Sequence, residues 1–393
     1  MSEFKKSHLK GLLGGVSTGA LLVGSSLVLS SGTASAANLS ANIETGGAIA
    51  GNANNVDTFV IDATNDGEGS AAAVTFGTQN AGLTVTSNGA DASGNNDTGE
   101  LASVTGNGNA GTATLTLGES TNTDTLTLII TGNITTATAD DANDLNVVVT
   151  ALQANDGDST VLSLKGNVAT SAGTITLTGD ADDVPVLEFS GAAAQTSDAA
   201  VVITTDDTGI VRVTNTDGTV TVSGAVGVDT KGLASMQIDS GARLTVKGTD
   251  GGAASTFDVV GNVDNGSGAA GGTLDLLGGD GASTTAGGAM TLGTITGNAA
   301  LTTLNVAGGA GAAGAAGAAG GAGGAVTNVI VTGTTAATTL NISGGAGAAG
   351  VANNASGAGG AGGAVTNSTF TGAVTANVNV AGGAGAVGGA GGA

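Results

Sequence analysis

Beyond residue 36, short runs of the chain alternate apolar and hydroxyl side chains with a period of two. Examples are Leu83-Thr84-Val85-Thr86, Ala113-Thr114-Leu115-Thr116-Leu117 and Thr125-Leu126-Thr127-Leu128-Ile129-Ile130. Later ones are Thr174-Ile175-Thr176-Leu177-Thr178, Thr219-Val220-Thr221-Val222 and Arg243-Leu244-Thr245-Val246. Such alternation marks a strand with one buried face. Gly, Asn and Asp separate the runs, as in Asn155-Asp156-Gly157-Asp158 and Asn215-Thr216-Asp217-Gly218, and these are turn signals. No amphipathic helical period stands out, so the pattern predicts an all-β chain.

The last third is repetitive. Leu274-Asp275-Leu276 aligns with Leu304-Asn305-Val306, Leu340-Asn341-Ile342 and Val378-Asn379-Val380, and a glycine-alanine block follows each. The segments between blocks (290–307, 326–343 and 365–381) hold 18, 18 and 17 residues, whereas the blocks (278–289, 308–325 and 344–364) hold 12, 18 and 21. A repeat this short cannot bury an apolar face alone, but stacked repeats can. The expectation is a β-solenoid of the parallel β-helix kind, with Leu274, Leu304, Leu340 and Val378 in one apolar column. Asp275, Asn305, Asn341 and Asn379 then form a hydrogen-bonding column on the opposite face. The glycine blocks leave the coil at one corner. Their lengths are multiples of three, which suits a left-handed, polyglycine-II-like helix of three residues per turn; a loose loop, favoured by glycine's entropy, is the competing expectation. An array of β-sandwich domains is the alternative fold, although 18 residues is short for one.

The N-terminus has a different character. Lys5, Lys6 and Lys10 precede an apolar stretch from Leu12 to about Leu29, closed by Ala34-Ser35-Ala36. This is the pattern of a secretory signal peptide. The expected organisation is a signal over 1–36, a strand-rich solenoid region over 37–272 and a repeat region over 273–393, the whole being a fragment of a longer protein. No later run has the roughly 18 uninterrupted apolar residues of a spanning helix.

Cleavage after Ala36 removes three of eight basic and one of 31 acidic residues, leaving 5 − 30 = −25. That balance argues against nucleic-acid partners, which need clustered Lys and Arg. The only histidine, His8, leaves with the signal, and the chain has no cysteine. Ser-His-Asp, Cys-His and zinc constellations are then excluded. From Gly281 to Ala393 there is no charged residue, a composition that favours self-association.

Calcium is the one cofactor the residues suggest. Asp156 and Asp158 in one turn, and Asp180, Asp182 and Asp183 in another, supply oxygen ligands, though a solvated turn is the simpler reading. Leu276-Leu277-Gly278-Gly279-Asp280-Gly281 resembles a calcium-binding nonapeptide but occurs once. A polysaccharide-degrading β-helix would use acidic clusters with Arg212 or Arg243, the only arginines.

The Lys5-Lys6 leader, the Ala34-Ser35-Ala36 ending and strands such as 126–134 resemble the passenger region of bacterial autotransporters, in particular rickettsial-type outer-membrane surface proteins. The composition is similar to that of surface-layer proteins. The resemblance implies an extracellular, outer-membrane-associated structural protein or adhesin that is not an enzyme. It would contact copies of itself or a glycan or protein ligand. A calcium-dependent surface lattice and a polysaccharide-degrading enzyme are the alternatives.

Overall fold

The structure, a computed structural model, describes residues 49–51, 56–61, 73–76, 82–87, 97–106, 112–118, 125–136, 145–151, 159–170, 173–180, 183–227, 231–292, 294–295, 299–315, 318–331, 338–350, 358–370 and 377–387. The signal segment lies outside them.

All described elements are strands, and every strand pairing is parallel. A β-sandwich is built from antiparallel strands, so the chain is a β-solenoid. Each coil visits three walls in turn. In one coil these are Ala113–Leu117, Leu126–Ile130 and Ile134–Thr136, and the next coil begins at Leu145–Thr150. The third wall is a continuous 12-stranded sheet from Ile49–Gly51 to Asn377–Ala381. At about 4.8 Å per strand it extends about 53 Å. It passes through strands Arg243–Lys247, Gly271–Leu277 and Leu301–Ala307 without interruption, so the fold has no boundary at 272/273.

The period-two pattern dictates the core. In Ala113–Leu117 the residues are alternately buried and half-buried, which sends Leu115 and Leu117 inward and Thr114 and Thr116 outward. Stacking repeats that choice: Leu115 lies over Leu83 and under Val147, and Leu187 lies between Leu162 and Val211. The expected apolar column is present, with Leu274 paired to Leu304, Leu304 to Leu340 and Leu340 to Val378. Replacing one buried leucine by alanine in such a core costs about 2–5 kcal/mol.

Corners carry the backbone constraints. Gly132-Asn133 and Gly166-Asn167 turn successive coils. A Cβ on Gly166 would lie 2.1 Å from the Gly132 carbonyl oxygen. Asn133 Oδ1 accepts the Asn167 N–H at 2.9 Å, and Asn167 Oδ1 accepts the Thr196 N–H at 2.9 Å. The amides thus satisfy corner donors that no strand can reach.

Candidate functional site

Two constructions distinguish the surface: ladders of polar side chains along the walls, and an ordered glycine array at one corner.

The expected amide ladder forms. Asn305 Nδ2 donates to Asp275 Oδ1 at 2.6 Å, Asn341 Nδ2 to Asn305 Oδ1 at 2.8 Å, and Asn379 Nδ2 to Asn341 Oδ1 at 2.8 Å. Every donor points toward Asp275, so the amide dipoles converge on one carboxylate. Arg243 Nε also binds that carboxylate, at 2.5 Å, and the Asp275 side chain is only 3 % exposed. A second ladder crosses the middle wall. Ser163 Oγ donates to Glu188 Oε1 at 2.9 Å, Arg212 Nη1 meets Glu188 Oε2 at 3.4 Å, and Arg212 Nε donates to Gln237 Oε1 at 2.8 Å. Both arginines are therefore bound to carboxylates of neighbouring coils.

The glycine blocks leave between the 12-stranded wall and the next strand, as expected: 278–289 lies between Gly271–Leu277 and Met290–Leu292. Within their described residues the blocks are ordered. Each sends out one arm and brings back another, and the arms form two rows. From Gly308 to Ala325, the first residue of every triplet is Gly and the third is Ala. First-position N–H groups donate along the row to the next coil: Gly278 to Ala307, Gly281 to Ala310, Gly311 to Ala346 and Gly347 to Ala384, at 2.8–2.9 Å or 2.7 Å for Gly281. Second-position N–H groups donate to the other row: Gly309 to Gly288, Gly324 to Gly309, Gly345 to Gly324 and Gly363 to Gly345, at 2.8–2.9 Å. This period of three, with bonds only between helices, is that of polyglycine II.

Glycine is required by proximity here. A Cβ on first-position Gly308 would sit 1.9 Å from Gly324 O in the opposite row, and one on second-position Gly309 would sit 2.0 Å from Gly279 O in the preceding coil. Third positions face outward: Ala310, Ala313, Ala346 and Ala349 are exposed. The loose-loop expectation fails for these residues because each arm gains inter-helix hydrogen bonds that a free loop would lack.

The root of the array is charged. Lys247 Nζ lies 2.8 Å from Asp250 Oδ1 and 3.0 Å from Asp280 Oδ2. Asp280 Oδ1 accepts the Ala310 N–H at 2.9 Å, and its carbonyl accepts the N–H groups of Gly251 and Gly252. The bond to Asp250 raises the Lys247 ammonium above its ordinary value despite partial burial, and the same bond lowers the Asp250 carboxyl. One aspartate thus ties three successive coils together where the array begins.

The calcium candidates are partly in view. Asp180 Oδ1 accepts the Asp183 N–H at 3.0 Å, an Asx-type turn, and Asp183 is 1 % exposed. Asp156, Asp158 and Asp182 lie outside the described residues. Among the described residues no group of three or more His, Cys, Asp or Glu side chains converges as metal ligands do. Asp280, in the segment resembling a nonapeptide, is engaged by Lys247 and Ala310.

Sequence reasoning missed the Lys247–Asp250–Asp280 root and the phase within the triplets. The signal for the second was present, in the first Gly and third Ala of every triplet from 308 to 325. It also missed Asn328 and Asn367, whose φ values of 57° and 55° place them in the left-handed region. Asn tolerates that conformation, and Asn367 Nδ2 donates to Asn328 Oδ1 at 3.3 Å. Compared with known proteins, the chain matches no family model, no curated protein and no solved structure.

Proposed function

We propose that the chain is an exported structural protein or adhesin of a bacterial cell surface, displayed as a β-solenoid and without a catalytic role. The observation that carries this reading is how the polar side chains are used. Arg212, Arg243, Glu188, Asp275 and the stacked asparagines bind one another from coil to coil. Their hydrogen bonds reinforce a scaffold along its axis. The glycine array, uncharged beyond Asp280, widens that scaffold on one side. The leader of residues 1–36 supports export, and the autotransporter-like composition supports an outer-membrane location.

Labelling of intact producing cells with a membrane-impermeant amine reagent tests the proposal, combined with N-terminal sequencing of the product. The proposal expects labelled protein beginning at Ala37. Unlabelled protein retaining residues 1–36 inside the cell would refute it.

A further inference from the structure

Among the described residues the array has two rows and no third, and the peptide geometry shows what limits it. In a trans peptide, N–H and C=O point in opposite directions. The peptide between first and second positions donates its N–H to the other row, as Gly309 does to Gly288, so its carbonyl points outward. The peptide between second and third positions offers its carbonyl to the other row, as Gly309 does to Gly324, so the third-position N–H points outward. Among the described residues, no hydrogen bond takes up the N–H of Ala313, Ala346, Ala349 or Ala361. Where an acceptor is within reach it binds, as Asp280 does with Ala310. Each outer face therefore presents the donors and acceptors that a further polyglycine row would use, including a row from a second copy of this chain.

We infer that the third-position alanines are the stop that prevents this. A neighbouring row lies so close that a methyl facing it would meet backbone at about 2 Å, as Gly308, Gly311 and Gly344 show at 1.9, 2.1 and 1.8 Å from oxygens of the opposite row. A methyl on an outward position excludes a row at that spacing in the same way. Third positions are alanine throughout 308–325 and 344–364. Along the coil axis the second-position glycines Gly309, Gly324 and Gly345 leave close approach open, whereas Ala312, Ala315, Ala318 and Ala348 carry a methyl at the same position. The array grows coil by coil and is closed sideways, so copies crowded together do not fuse through their uncharged flanks. This rests on the geometry of the array and holds whether or not the chain is a surface protein.

The test uses the full mature chain with Ala310, Ala313, Ala346 and Ala349 changed together to Gly, and separately to Ser, which keeps the Cβ. Sedimentation velocity across a tenfold concentration range is read beside amide exchange of Gly311, Gly345 and Gly347. The inference expects a constant sedimentation coefficient for the wild type and the Ser variant, and one that rises with concentration for the Gly variant, with the glycine amides still protected. A Gly variant that stays monodisperse with those amides protected would overturn it. So would association of the wild type that the Ser variant abolishes. A smaller variant, Ala346→Gly/Ala349→Gly, guards against simple unfolding. Loss of protection in both Gly variants would also overturn the inference, because the alanines would then hold the array and not limit it.

Discussion

At the residue scale, glycine identity in the array is set by contact distance. Gly309→Ala places a methyl 2.0 Å from the Gly279 oxygen, and that oxygen belongs to backbone that cannot swing away. The expected result is loss of amide protection in 308–325 with little change at Leu274–Leu276; Ala313→Ser, at an outward position, should leave both unchanged. The amide ladder predicts a different outcome. Asn305→Ala removes one donor to Asp275 and one acceptor for Asn341. Two lost ladder bonds, at about 1 kcal/mol each, should lower the denaturant midpoint without changing the slope. At the array root the pH dependence has a definite sign. The folded pKa of Lys247 is raised, so its contribution is complete below the ordinary lysine value of 10.5 and fades as pH climbs through the raised value. The folded pKa of Asp250 is lowered, so its share is present above 3.8 and fades as pH falls through the lowered value. Lys247→Gln should therefore reduce thermal stability at neutral pH, by an amount typical of exposed pairs, below about 1 kcal/mol. The gap from wild type should close at strongly alkaline and strongly acid pH.

At the element scale, the strands and their register were legible in the sequence. Alternation in Ala113–Leu117 and Thr174–Thr178 identified the buried face, and the aligned Leu-Asx-Leu-type segments identified which residues stack. What escaped was the partnership of charges. Lys247 and Asp280 are 33 residues apart, and no local pattern connects them; only the coil length brings them together. The glycine blocks were legible in length but not in state, because entropy and hydrogen bonding oppose each other and only the neighbouring arms decide between them. The period of three yields a prediction at this scale. Adding one Gly-Gly-Ala triplet to each arm of 308–325 should preserve exchange protection in both neighbouring blocks. Adding a single residue to the outgoing arm should remove it beyond the insertion, since every later N–H would turn away from its acceptor.

At the scale of the whole molecule, a continuous 12-stranded wall, polar ladders running along it and a glycine array growing from one corner describe a rigid scaffold whose length is set by the number of coils. The proposed surface role, the autotransporter-like expectation and the alternative of a calcium lattice all depend on that scaffold, and each asks something different of its surface. The most direct measurement is residue-resolved amide hydrogen exchange across 308–325 and 344–350. The account predicts slow exchange at first- and second-position amides such as Gly309, Gly311, Gly324 and Gly345. It predicts fast exchange at third-position amides such as Ala313, Ala346 and Ala349. Uniformly fast exchange through both segments, at the rate of an unstructured chain, would contradict it.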